Sequence, residues 1–283
     1  MTKHKLKSLA LGVAAAALMH ASDAAAACSS LINVAVSPSI ANTASNVVAA
    51  FYNYYPSASY CVGLVVYADA NIASDIVSGG STGPYDLFLS DSAVYPYDLA
   101  FFYSSLVSGQ PFPFATDTLD LYSSANTPVN ISGGLPTTGI QPFKYPDPST
   151  LDPWGLAAIQ VLYSKWPYIQ ALENGIGTTD PNTVAVYADV EFSGVAYGFT
   201  AKSQVCNNYG GGQVYEVGSY HYEYEFGRDY FTPIEWFGVA IARGQTAAQE
   251  TELTDFINFL TGVGTTAGTA ALQQTCLQIP PQP

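Results

Sequence analysis

Residues 31–90 alternate short apolar runs with amphipathic stretches, and this alternation restricts the fold more than any other feature of the 283-residue chain. Leu31–Val36 is an apolar run closed by Ser37-Pro38-Ser39. Ile40–Tyr54 then carries Ile40, Ala44, Val47, Val48 and Phe51 at helical spacing, and Pro56 stops it. Cys61–Tyr67 is a second apolar run. Asn71–Ser78 reads as a short helix ended by Gly79-Gly80. Tyr85–Ser90 is a third run. Strand, helix, strand, helix, strand in about 60 residues predicts a parallel sheet with crossover helices.

The pattern breaks near residue 115. Thr118–Ser123 reads as a strand, and residues 126–142, rich in Gly, Pro and Thr, as loops. A proline-led helix spans Pro153–Tyr163. Asp180-Pro181 opens another helix with Pro at its first position, running to about Glu191. Gly194–Thr200 is an apolar strand. In Tyr220–Tyr230, alternation puts Tyr220, Tyr222, Tyr224 and Phe226 on one side and His221, Glu223 and Glu225 on the other. Ile234–Ala242 is a strand and Thr246–Leu260 a closing helix. The interruption predicts an α/β chain of two lobes, each a mostly parallel sheet flanked by helices. The first lobe is residues 28–116 plus 218–283; the second, 117–217, is inserted into it.

Hydrophobic residues make up 48% and charged ones 11%, which excludes a disordered chain. Residues 1–27 read as a cleaved export signal: Lys3, His4, Lys5 and Lys7, then the apolar Leu9–Met19, then small residues Ala24–Ala27. The apolar core is too short for a membrane anchor. Without that segment's Lys3, Lys5, Lys7 and Asp23, 5 basic and 21 acidic residues remain, a balance of −16. No basic patch is left to neutralise phosphates, so nucleic acid is excluded as a partner. Four cysteines in an exported chain predict disulfides. Cys28 and Cys61 fall at the same end of neighbouring parallel strands, so Cys28–Cys61 is expected, and Cys206–Cys276 by elimination. A lipid-anchored Cys28 is the alternative.

Several pieces resemble the periplasmic molybdate-binding proteins and their relatives among the type II solute-binding proteins. They are Val34–Ile40 (VAVSPSI), Ile72–Ser90 (IASDIVSGGSTGPYDLFLS) and Asp147–Ala157 (DPSTLDPWGLA), with looser matches in Gly194–Gln204 and Glu235–Leu260. The resemblance implies two α/β lobes joined by hinge strands. A small ligand, oxyanion or polar organic solute, would sit in the cleft and pass to the membrane permease of an ABC transporter. Helix N-terminal amides can hold an oxyanion without Lys or Arg. Ser39 falls on the family's first ligand serine; it also suits an N-cap. The second ligand serine falls on Asp69. Trp154 falls where a small residue donates its backbone N–H, and Thr183 lies near a further backbone donor. The family's ligand tyrosine falls on Ala201, so Tyr197 or a residue of Tyr220–Tyr230 has to substitute.

Asp69 is the main departure. Facing the cleft it repels a dianion; as a helix cap it faces away, and both readings stand at this stage. In the first case the ligand is cationic, zwitterionic or rich in hydroxyls, and Trp154 is an aromatic wall. His221, Glu223 and Glu225 read as a solvated strand face rather than a metal site. An enzyme is not expected, because His221 is the sole histidine outside the signal and sits in no catalytic motif. The expected function is a monomeric periplasmic solute-binding protein without a cofactor. An adhesin-like surface protein reusing the fold is the alternative.

Overall fold

The computed structural model describes residues 30–56, 59–209 and 212–280. The expected signal segment and Cys28, and with it the bond expected to Cys61, lie outside the described residues.

The first three strands are β1 (Ile32–Val36), β2 (Val62–Val66) and β3 (Leu87–Ser90), linked by helices α1 (Ala41–Tyr54) and α2 (Asp69–Gly79). β1 pairs in parallel with both β2 and β3, as the apolar runs predict. Helix α3 (Val94–Phe102) leads to β4 (Val107–Thr116), and β12 (Glu235–Ile241) inserts between β3 and β4, antiparallel to both. The order is β2-β1-β3-β12-β4. Period-two alternation divides the strand residues between two faces. Val34, Val36, Leu87 and Leu89 pack with Val47 and Phe51 of α1 and with Phe256 and Leu260 of α8 (Ala247–Thr261). Ala35 and Phe88 face the other way, onto Ile72 and Ile76 of α2 and Leu99 of α3.

The chain leaves this sheet between β4 and β5 (Leu119–Ser123). The second sheet also holds β6 (Phe143–Pro146), β7 (Gly177–Asp180), β8 (Tyr197–Ala201) and β11 (Tyr220–Tyr224), in the order β11-β5-β8-β6-β7. Helices α4 (Pro153–Tyr163) and α5 (Trp166–Glu173) connect β6 to β7, and α6 (Thr183–Phe192) connects β7 to β8. A one-turn α7 (Lys202–Val205) and a ribbon, β9 (Asn207–Tyr209) with β10 (Gly212–Val214), precede β11. The chain returns to the first sheet between β11 and β12 and ends in α8 and α9 (Ala267–Gln273).

Three details depart from the sequence reading. Each sheet is mixed, its β1–β2–β3 or β8–β6–β7 core parallel and the remaining pairs antiparallel. Tyr220–Tyr224 pairs with β5 and so belongs to the second sheet, past the boundary expected at 217/218. Asp180 ends a strand, and α6 starts at Thr183 with Asn182 as its cap, so Pro181 is not the first helical residue.

The two sheets share one apolar core. Trp154 of α4 and Trp236 of β12, both fully buried, meet edge to face at 6.3 Å between ring centroids. The expected Cys206–Cys276 disulfide is present, with its Cα atoms 5.9 Å apart.

Candidate functional site

In sheets with parallel strands, the carboxyl ends of the strands open the crevice where ligands bind. Here the carboxyl ends of β1, β2 and β3 supply Ser37 to Ser39, Ala68 to Ala70, and Asp91 and Ser92. Those of β6 and β7 supply Ser149 to Asp152, and Pro181 and Asn182. The two sets face one another across a cleft of about 370 Å³.

Asp69 is the first residue of α2; Ala68 is the N-cap and makes no side-chain cap. The Asp69 carboxylate therefore does not cap its helix. It accepts hydrogen bonds from the hydroxyls of Ser37 and Ser90. Those hydroxyls in turn accept from backbone N–H groups, Ser37 Oγ from Asp91 at 3.1 Å and Ser90 Oγ from Ser92 at 3.0 Å. Asp69 and Asp91 both line the cleft, with their carboxyl groups close enough to act on each other.

Burial raises Asp69 to about 6, against the pull of the two serine hydroxyls. Burial also raises Asp91 well above the usual carboxylate range, and the charges of Asp69 and Asp152 add to it. Two carboxyls this close do not both ionise readily.

Asp152 enters from the second sheet. It caps α4, accepting from Gly155 N–H at 2.8 Å and from Trp154 N–H. Burial raises it to about 7, although both amide bonds favour its charged form. A free helix N-terminus attracts anions; at α4 the chain's own carboxylate has taken that place. No Lys, Arg or His lines the cleft.

The four residues singled out from sequence fare differently. Ser39 and Asp69 both line the cleft. Ser39 caps no helix; it lies within the turn Pro38–Ile40, with its hydroxyl against the Asp91 carboxyl. Trp154 is not a cleft wall, because its ring is wholly consumed by packing on Trp236. Thr183 is fully buried at the first position of α6, behind the cleft-lining Asn182. Neither proposed stand-in for the lost tyrosine lines the cleft. Tyr197 is fully buried with its hydroxyl 3.1 Å from that of Tyr168, and β11 sits at the sheet's far edge. The aromatic residue lining the cleft is Tyr95 of α3. The His221 face is also engaged otherwise: Glu223 pairs with Lys202 at 2.7 Å, and His221 stacks on Tyr215. Sequence reasoning missed Asp91 and Asp152. Each directly follows a strand or turn at the sheet's carboxyl end, and Asp152-Pro153 is itself a helix-start pair.

The profile of a family described as bacterial extracellular solute-binding protein matches residues 32–274. A search of curated proteins finds no match. Among solved structures, the periplasmic molybdate-binding protein of Azotobacter vinelandii is similar, with a TM-score of 0.72 and 18% identity over 88% of this chain and 99% of that one. The sulfate-binding protein SubI of Mycobacterium tuberculosis has a TM-score of 0.57 and 13% identity, over 88% and 87% of the two chains. Iron-bound HitA of Pseudomonas aeruginosa has a TM-score of 0.55 and 13% identity, over 89% of each chain. At these identities the likeness concerns the fold, that of type II periplasmic binding proteins. The profile match spans both sheets and every strand end that lines the cleft, and the chain belongs to the bacterial extracellular solute-binding protein family.

Proposed function

We propose that this chain is an exported, monomeric receptor that captures a small solute and delivers it to the permease of an ABC transporter, without catalysis. The observation that carries the reading is the cleft itself, formed where the parallel strands of both sheets end, in a chain of a solute-binding family. The lobes are the two sheets with their helices, and the connections at 117–118 and 225–234 are the hinge. Residues 1–27 would direct export. An adhesin reusing the fold has no need of an open cleft of about 370 Å³, so the receptor reading is preferred.

The solute is not a tetrahedral dianion such as molybdate or sulfate. Asp69, Asp91 and Asp152 bring negative charge to the place such an ion would occupy, and no cation lines it. Like charges in a partly desolvated site repel by several kcal/mol. Calorimetric titration with molybdate, tungstate and sulfate should detect no tight binding. Tight binding by the wild-type chain would overturn this part of the reading. Native mass spectrometry of gently purified protein tests the rest, since a receptor should carry a co-purified solute. Solution scattering should then show a smaller radius of gyration with the solute than without it.

A further inference from the structure

We propose that the cleft takes a small organic cation, its ammonium or guanidinium group held between the Asp69–Asp91 pair on one wall and Asp152 on the other. The inference rests on reading the cleft as the solute site and names the class of solute.

Three features point the same way. The carboxyl groups stand on both walls, from different sheets, with no positive side chain among the lining residues. A cation between the two walls is attracted by both and favours the ionised forms of their carboxyls. Secondly, Ser39 lines the cleft with its hydroxyl against the Asp91 carboxyl, and in donating there it keeps its lone pairs free. A hydroxyl can accept from a ligand N–H, whereas a carboxylate-only site offers a cation charge without such a contact. Thirdly, the remaining walls are apolar: Pro38, Ala68, Tyr95, Leu151 and Pro181. An inorganic ion leaves those surfaces unused, but a carbon skeleton covers them, and the Tyr95 ring can lie against a cationic head.

Leu151 strengthens the third point. Its backbone is left-handed, φ 63°, and its side chain remains 44% exposed at the cleft. A branched apolar residue held in that conformation is strained, and such strain gathers at ligand sites. Among the described residues, no three acidic, His or Cys side chains gather closely enough to hold a metal ion. The volume, about 370 Å³, lies in the range of small-molecule sites.

The titratable groups facing the bound cation are all acidic or neutral. Asp69, Asp91 and Tyr95 come from the first-sheet side, with Asp98 beyond them; Asp152, with Asp147 beside it, comes from the second. Binding a cation favours their ionised forms, so protons are released and affinity rises with pH. An anionic solute reverses the sign.

The test is calorimetric titration with choline, putrescine and agmatine as chlorides, alongside molybdate and a neutral sugar, glucose. It is run at about pH 5.5 and about pH 8, with native mass spectrometry of the unfractionated holoprotein in parallel. Expected are binding of at least one organic cation or co-purification of one, affinity about tenfold higher at the upper pH, and proton release. Asp152→Asn keeps the helix cap and should weaken binding by about tenfold or more; Asp69→Asn is the second variant. A bound solute without positive charge, or affinity that rises as pH falls, overturns the cation while leaving the solute receptor standing. Absence of any bound solute overturns both.

Discussion

Leu151 and Gly155 lie four residues apart and place opposite demands on the backbone. At Leu151 a left-handed conformation costs a non-glycine residue about 1 kcal/mol, and Asn tolerates it better. Leu151→Asn should therefore stabilise the fold by up to about 1 kcal/mol while weakening solute binding, measured by paired thermal unfolding and titration. A lower unfolding midpoint would mean that the Leu151 side chain supports the free protein. At Gly155 a Cβ would stand 2.7 Å from the Pro146 carbonyl oxygen and 3.0 Å from the Asp147 carbonyl carbon, and that backbone cannot yield easily. Gly155→Ala should cost roughly 1–3 kcal/mol and displace the turn that carries Asp152. Chemical denaturation checks the first effect and titration the second. How far the site can be read from sequence follows from the same turn. Ser39 and Asp69 are visible because they fall on positions where the family has ligand serines. Asp91 and Asp152 are hidden because no family ligand position falls on them, and a sequence does not display which loop carboxylates the fold brings to one cleft.

Strand β4 shows why an element escapes a pattern-based reading. It runs ten residues, Val107–Thr116, through Pro111 and Pro113, which argue against a strand. The strand is nonetheless tolerated because it is the sheet's edge and β12 is its one neighbour strand, with register shifts where the two meet. The runs of β1 and β3 announce themselves because those strands are buried on both faces and must be largely apolar. β6 and β7, four residues each, are too short to show any period. The ribbon β9–β10 is anchored differently, by the disulfide from Cys206 to Cys276 across 70 residues of sequence. Closing a loop of that length restricts the unfolded chain, so replacing both cysteines by Ala should lower stability by about 2–4 kcal/mol. Denaturant unfolding measures it, and an unchanged midpoint would show that packing alone holds the ribbon.

Across the whole molecule, buried acids outnumber the means of neutralising them. Burial raises Asp117 to about 6, Asp120 to about 8 and Glu252 to about 7, in addition to the cleft carboxyls. Each binds its proton more tightly when folded than when unfolded. Their contribution to stability is fully present below the unfolded value, about 4, and is lost as pH rises through the folded values. The thermal midpoint should thus fall steadily from about pH 5 to about pH 8, and Asp120→Asn should flatten that slope. A midpoint that rises over this range would contradict the burial of these groups. The contact between Trp154 and Trp236 has a practical consequence for following such changes. These two indoles sit one on each side of the hinge, sealed from water, whereas Trp166 is 68% exposed. Their emission reports on a dry environment that exists only while the two halves stay pressed together, and Trp166 alone is open to a neutral quencher such as acrylamide. A Trp166→Phe chain would emit from the central pair alone. It would serve as a label-free optical gauge, separating a pivoting of the halves, which disturbs the pair's mutual orientation, from a loosening of the core, which lets water and quencher reach it.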